Sequence, residues 1–499
     1  MAYVPSSYRT CHLGLVIFLL VCLSSCVSIS PYSYDSIKKE YNGRPSPLSV
    51  NQEYGKIADE NLQLHSGMQF PLTLQNAIDV SMRNNPDLIG AAWRIQRSKA
   101  ILQLADTGFW PQVAFYTEYM QGDAPSAYLF KNIDQRRLPQ KVDFNDPGWF
   151  ENFESGFKGQ INLFNGGSDY LSILMARQDK EISELDRNRI ANDLTSQVIH
   201  AFYDALAAED FIEIAEESIT TVEEQLRIMT VRYKGGAVNK SDLLSLEVRL
   251  AQAREQLVAG RNRFQLACAA LANLMGLEPS TLAEKGGGLA ASATVVPGVP
   301  ETYGQGVIVA VNRRPELAQV RKQLIRSRMA LDSAKTAYLP RLDLMAKYYM
   351  NDRGLDYDTS RDNWTTALLL QWDLFTGFSR GAQVSQAEAI VLELLAADHE
   401  ATLVIKLDVK TAYLNLEEAG IRYQVARSSV DSAEESFRLV REHYQGGAVT
   451  VNRYLKAELD WNRSRTRATA AQYDKIKALA EVARSIGVWA VQPLAGRHN

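Results

Sequence analysis

Tyr233-Lys234-Gly235-Gly236-Ala237-Val238 returns 211 residues later as Tyr444-Gln445-Gly446-Gly447-Ala448-Val449. Each copy stands in a long run without proline, one from Gly148 to Glu278 and one from Arg341 to Gln492. An interior proline costs a helix about 3 kcal/mol, so these runs admit very long helices. Apolar residues three or four apart fill the first run, as at Val198, Phe202, Ala205, Ala208, Ala215, Val222 and Met229. Val409, Tyr413, Leu416, Ala419, Phe437 and Val440 repeat the pattern in the second. The Gly-Gly pair stops the helix, because glycine accepts the left-handed C-cap conformation. Beyond Gly235-Gly236 a second seam begins at Leu243, Leu246, Leu250 and Ala253. The spacing therefore predicts an antiparallel helical hairpin in each copy.

Lengths fix what such a hairpin is for. The arm from about Ser168 to Tyr233 would be roughly 100 Å long, and its return from about Lys240 to Met275 only about 54 Å. A shorter helix starts behind Asn85, a good N-cap, with Pro86 at the first helical position. It ends near Thr107 and adds about 33 Å, so the two short helices end to end nearly match the long one. That is a wall element, not a globular core.

The duplication covers most of the chain. Asn85-Pro86-Asp87-Leu88 matches Arg314-Pro315-Glu316-Leu317, and Trp110-Pro111 matches Leu339-Pro340, both at an offset of 229. Leu163-Phe164-Asn165-Gly166 matches Leu374-Phe375-Thr376-Gly377 at 211. The difference of 18 residues is an insertion between Pro111 and Leu163. The expected organisation is an N-terminal signal over 1–25, a segment over 26–71 and a first repeat over 72–278. A linker over 279–298, a second repeat over 299–488 and a tail over 489–499 complete it.

Two short segments in each repeat break the helical period: about Pro111–Gln121 and Gly156–Phe164, then Pro340–Met350 and Trp364–Phe375. Phe157, Gly159, Ile161 and Leu163 alternate with Lys158, Gln160 and Asn162. Trp364, Thr366, Leu368, Leu370, Trp372 and Leu374 alternate with a set ending in Gln371 and Asp373. Period two marks strands with one apolar face, at a length that suits a tilted membrane strand. Four strands cannot close in lipid, where open edges are not tolerated, so the chain must associate. Trp110, Trp149, Trp364 and Trp372 are candidates for interfacial girdles. The segment from about Gly122 to Asn152 reads as a long loop, with Arg136 and Arg137 solvated. The acidic pairs Glu216-Glu217, Glu223-Glu224 and Glu434-Glu435 read as outer helix faces.

Of 499 residues, 46% are hydrophobic, which excludes wholesale disorder, and a formal charge of −4 gives no support to nucleic-acid binding. Six histidines never fall at metal-ligand spacing, and no HExxH, CxxC or GxxxxGK[ST] occurs. No catalytic residue, metal or cofactor is expected. Arg9 precedes an apolar run from Cys11 to Leu23, too short to span a bilayer but suited to a signal sequence. Leu23-Ser24-Ser25-Cys26 after it resembles the bacterial lipoprotein signal, which implies a covalent lipid on Cys26 and a double-membrane bacterium. Val27 then favours the outer membrane. Maturation would leave Cys268 as the only thiol outside the lipid site.

Taken in order, the Asn85-Pro86 break, the helix-to-strand prolines Pro111 and Pro340, the Leu-Phe-x-Gly joins and the Tyr-x-Gly-Gly tips resemble the TolC-type outer membrane factor family, in its lipidated OprM/NodT-like branch. The resemblance runs from about Leu72 to Val488. It implies a mostly α fold with membrane β, in which four strands per chain contribute to a 12-stranded trimeric β-barrel that continues into an α-barrel. It implies an outer-membrane exit duct for a tripartite efflux pump or type I secretion system. The partners would be a periplasmic adaptor, an inner-membrane pump and outer-membrane lipid. In the family the hairpin tips form the periplasmic entrance and meet the adaptor, which assigns that role to Tyr233, Gly235, Gly236, Tyr444, Gly446 and Gly447. Relatives often carry aspartates just beyond the second tip; here those positions are Arg453 and Lys456, and the first-tip counterpart of Arg453 is Asp242. The competing reading is a lipidated periplasmic coiled-coil adaptor or scaffold without a pore.

Overall fold

The computed structural model describes residues 37–39, 70–137, 140–143, 145–236, 238–284, 288–290, 298–354 and 359–490. Cys26 and the signal segment lie outside them. The chain divides into two compact units, each threaded by both repeats. One holds the described parts of Met1–Pro45, Ile101–Met175 and Met329–Ala387; the other holds those of Ser46–Ala100, Ala176–Arg328 and Glu388–Asn499.

Helix α1 (Leu74–Asn84) opens behind Thr73, whose hydroxyl accepts from the Asn76 amide. Asn85 separates it from α2 (Pro86–Asp106). Asn85 does two jobs: its Oδ1 accepts from the amides of Asp87 and Leu88, and its Nδ2 donates to the Leu274 carbonyl. Strand β1 (Gln112–Gly122) follows. The expected loop after it contains a helix, α3 (Pro125–Asp134), with proline in its first turn. Strand β2 (Phe150–Phe164) starts six residues before the period-two signal, because its first part carries buried polar residues instead of alternation. Then come α4 (Ser168–Lys234) and α5 (Lys240–Leu274).

The second repeat copies this order. It comprises α6 (Tyr303–Arg313), α7 (Pro315–Thr336), β3 (Arg341–Asp352), β4 (Asp362–Gln371), α8 (Ser379–Gln445) and α9 (Val451–Ser485). Both long arms have 67 residues and both returns have 35. Thr302 caps α6 as Thr73 caps α1. Arg314 replaces Asn85 and donates to the Ser485 carbonyl, the repeat counterpart of Leu274. In the stretch between the repeats, read as a linker, Leu289 pairs with Leu72 in a parallel bridge.

The sheet runs β1-β2-β3-β4, antiparallel throughout. Its register separates two faces. Val113, Phe115, Phe157, Ile161, Tyr348, Leu344, Trp364, Leu368 and Leu370 share one, and most are exposed. Tyr116, Glu118, Glu154, Lys158, Lys347, Asn162, Asp343 and Thr365 share the other. The outer edges of β1 and β4 have no strand partner among the described residues. Trp149 immediately precedes β2 at the loop end of the sheet, Trp364 stands in register with Tyr348 and Phe157 midway along β2, Trp110 and Trp372 lie at the helix end, and all four are exposed. Trp364 and Trp372 are eight residues apart, about 27 Å of strand, which rises roughly 21 Å at a 40° tilt. That matches an apolar band about 25 Å tall. Among the described residues no helix is long and apolar enough to cross a membrane.

In the other unit, repeat-related residues fill repeat-related cores. Leu88, Leu194, Val198 and Met275 are buried in one cluster; Leu317, Ile405, Val409 and Ile486, their counterparts, are buried in another. Each such leucine contributes about 1.5–3 kcal/mol by leaving water. A third cluster gathers at the Gly-Gly ends of the hairpins.

Candidate functional site

The first tip forms as its glycines require. Gly235 donates its amide to the Val231 carbonyl and Gly236 donates to Tyr233, with Gly236 at φ +74. At the second tip Gly446 donates to Glu442, Gly447 to Tyr444 and Ala448 to His443, with Gly447 at φ +76. The return helices start differently. Thr450 accepts from the Arg453 amide through its hydroxyl, whereas the Asn239 side chain makes no such bond.

The two tips share one apolar cluster. Val222, Met229, Leu246 and Leu250 meet Phe437, Val440, Tyr444, Val451, Tyr454 and Ala457 in it. The sequence repeats, yet the packing does not: Tyr444 is 9% exposed and Tyr233 is 39% exposed. The reason lies ten residues on. Tyr444 stacks on Tyr454 at 4.9 Å between ring centroids, and the first hairpin has Leu243 where Tyr454 stands. Burial, and then the nearby Glu458 charge, push the Tyr454 phenol up to about 12. Burial also raises Tyr444, opposed by Arg232 and helped by Asp242. Arg453 and Lys456 are both exposed and Asp242 is half-buried. Among the described residues no ion pair joins Arg453 to Asp242 within the chain, so the two tips present separate charges.

The sequence reading missed a buried polar knot behind the tips. Arg249 on α5 grips Glu458 on α9, with Nε to Oε2 at 2.9 Å and Nη2 to Oε1 at 3.1 Å. Ser218 on α4 donates to the same carboxylate at 2.7 Å, and Asn462 donates to it at 2.5 Å. The pair is 5% and 1% exposed. Its signal was present in the sequence, as opposite charges inside two apolar seams. A second network ties the junction of α6 and α7 to α8 and α9: Arg314 to Asp408 at 2.6 Å, and Arg484 to Asp408 at 2.9 Å and Glu481 at 2.7 Å. The acidic residues read as outer faces are exposed, as expected, but several are paired. Glu216 meets Arg261 and Glu223 meets Arg254 across the first hairpin, while Glu217 meets Arg465 on α9. Such exposed pairs contribute about 0–1 kcal/mol each. Arg136 and Arg137 are not simply solvated: Arg136 donates to the Asp362 carbonyl, and Arg137 lies 3.6 Å from the Asp352 carboxylate. Among the described residues no group of His, Cys, Asp and Glu is placed to hold a metal ion.

The sequence and the fold are similar to those of known proteins. The sequence model described as "Outer membrane efflux protein" matches residues 77–277 and 309–488. The chain is 21% identical to the pyoverdine export outer membrane protein OpmQ of Pseudomonas putida over 417 residues, 83% of this chain and 85% of that one. It is 23% identical to the alkaline protease secretion protein AprF of Pseudomonas aeruginosa over 427 residues, 84% of this chain and 85% of that one. The fold matches the Campylobacter jejuni CmeC outer membrane channel with a TM-score of 0.71, over 92% of this chain and 93% of that one, at 15% identity. The matched family model, together with the two repeats and the four membrane-suited strands, makes this a transport channel of the outer membrane. The chain belongs to the outer membrane efflux protein family.

Proposed function

We propose that the chain is the exit duct of a tripartite efflux pump or type I secretion system. It would pass small molecules, ions or polypeptide outward without chemistry, and work as a homotrimer. The supporting observation is a pseudo-symmetry that stops short inside one chain. Helix α9 covers a flank of α4, where Tyr473 donates to Asp210 at 2.9 Å and Lys477 meets Asp204 at 2.7 Å. The repeat-related flank of α8 exposes Leu414, Ile421 and Val425. The helix related to α9 is α5, and it exposes Leu244, Val248, Val258 and Leu266. Placing α5 of the next copy on α8 continues the same packing head to tail, and such an interface closes into a ring when its rotation divides the circle, as three copies would require. Three copies would give 12 strands and bring the β1 edge of one copy to the β4 edge of the next.

In this reading the tips carrying Tyr233, Gly235, Gly236, Asp242, Tyr444, Gly446, Gly447, Arg453 and Lys456 form the periplasmic entrance. They would meet a periplasmic adaptor that links the duct to an inner-membrane pump. Cys26 carries a lipid beside the barrel anchor. The scaffold reading loses support, because a lipid-suited sheet with two bare edges has no use in a poreless adaptor. Mass measurement of the detergent-purified protein should give three mature chains, and planar bilayers should show open channels. A stable monomer that retains its strands would defeat the proposal. Palmitate labelling should disappear in Cys26→Ser; unchanged labelling would reject that lipid site.

A further inference from the structure

Between β1 and β2, α3 and Gln135 pack on the polar face of the sheet. Lys131 of α3 donates to Glu154 at 2.8 Å, and Glu154 also accepts from Tyr116 at 2.6 Å and from Lys347 at 2.5 Å. All three strand residues stand on the polar face. Just past the helix, Gln135 is 1% exposed and donates to the Glu151 carbonyl and to Asn152, which donates in turn to Asn351. Burial at this end of the sheet is inverted. Asn152, Glu154 and Asn351 are buried, while Phe157 and Trp364 on the apolar face are exposed. Away from Lys131, α3 shows water two apolar side chains, Phe130 at 64% exposure and Ile133 at 42%. They are three residues apart and therefore share a helix face.

We propose that α3 lies inside the mouth of the duct, where Phe130 and Ile133 from three copies form an apolar constriction at the exit. This rests on the duct reading, in which the polar face lines the lumen. Helices enter and leave the sheet at its other end, so α3 stands at the outer end. Twelve strands about 4.8 Å apart and tilted about 40° close at roughly 24 Å between opposite backbones. Three helices about 10 Å thick in mutual contact need a circle of roughly 22 Å. The three α3 helices therefore nearly fill the mouth, and what leaves the duct passes between their apolar faces. Apolar constrictions restrict ions by dewetting. The exit would thus discriminate by size and polarity independently of the periplasmic entrance.

The test uses the full chain with Phe130→Cys in a Cys268→Ala background, purified and reconstituted. A bismaleimide of about 10 Å reach should join copies to one another, since three helices that need a circle of roughly 22 Å stand inside a barrel only about 24 Å across between opposite backbones. A bulky thiol reagent added from the outer side should cut single-channel current to less than about half, as expected where a constriction sets conduction. Full labelling of the cysteine, shown by mass, with neither cross-link nor loss of current would overturn the constriction. A wild-type oligomer that forms no channel at all would instead sink the duct reading. Lys131→Ala keeps the apolar face but removes the tether to Glu154, so its open-channel current should be larger or noisier than wild type. A wild-type trace from that variant would count against the tethered placement.

Discussion

Arg249 and Glu458 hold the two hairpins of one chain together through a two-point ion pair buried among apolar seams. Ser218 and Asn462 satisfy the carboxylate further. A pair of this kind is costly to break from one side, because the remaining charge stays buried without a partner. Arg249→Met or Glu458→Met should each lower oligomer stability by about 3–5 kcal/mol, while Arg249→Met with Glu458→Met together should cost much less or nothing. Thermal unfolding followed by circular dichroism reads the difference. Equal losses in single and double variants would show that the pair does not carry the contact.

Gly276 and Gly487 end α5 and α9 at φ +69 and φ +73. A Cβ on Gly276 would stand 2.4 Å from the Asn84 carbonyl oxygen, whereas one on Gly487 has its nearest neighbour at 3.3 Å. Both substitutions to alanine strain the backbone, by about 1–2 kcal/mol. Gly276→Ala should be the more damaging, because backbone must also move. Melting temperatures of the two variants rank them, and a Gly487→Ala variant as unstable as Gly276→Ala would contradict the geometry.

His200 on α4 is held below its usual pKa, first by burial, with Lys477 adding to the effect and Glu481 and Asp204 opposing it. In the unfolded chain it titrates near 6.5. Below that value the unfolded state takes a proton that the folded state refuses. Stability should therefore fall as pH drops from about 6.5 towards the depressed folded value, and level off below it for this group. His200→Gln should flatten that part of the profile in denaturant melts. An unchanged slope in the variant would assign the pH dependence to other groups.

Three copies of Arg453 and Lys456 would set six positive charges near the entrance, with three Asp242 close by. Charged rings set ion preference where they line a constriction. Replacing both basic residues by Asp should shift bilayer reversal potentials towards cations, with normal trimer yield. If selectivity stays put while single-channel current is normal, these side chains face away from the narrow point.

Cys268 is buried, and burial, then the Glu209 charge, raise its thiol to about 11. Thiolate is the reactive form, so the folded protein should resist maleimide at pH 8 and react only once denatured. Mass spectrometry before and after denaturation measures this directly. Rapid modification of the folded protein would place Cys268 at the surface.

The hairpins were legible because their signal is redundant: absent proline, seam period and glycine stops agree over more than sixty residues. The predicted arm from Ser168 to Tyr233 ends one residue short of the observed helix. Where one signal stood alone, the reading was less complete. The first residues of β2 place Glu151 and Ser155 on the face where alternation calls for apolar side chains, so the period-two signal fades there, while Asn152 and Glu154 on the other face are covered by a helix. α3 itself is ten residues with no seam, so it read as loop. The tips were located correctly by their glycines, but the unequal burial of Tyr233 and Tyr444 was not visible. It depends on Tyr454, a long-range partner that the repeat comparison treats as an ordinary Leu243 equivalent. Arg249 and Glu458 escaped for a related reason. A charge in a seam is readable, but its match on a helix more than two hundred residues away is not.

The equal lengths of the two arms and of the two returns make length itself an inherited quantity. Seven residues added to one arm alone would carry its tip about 10 Å past its twin and pull apart the apolar cluster that the two tips share. The same addition in all four segments leaves every pairing in phase. Descendants of the duplication can therefore grow or shrink only in lockstep along the hairpins, whereas the far ends of the strands are free to drift. That freedom is where the 18 extra residues, and with them α3, were accepted.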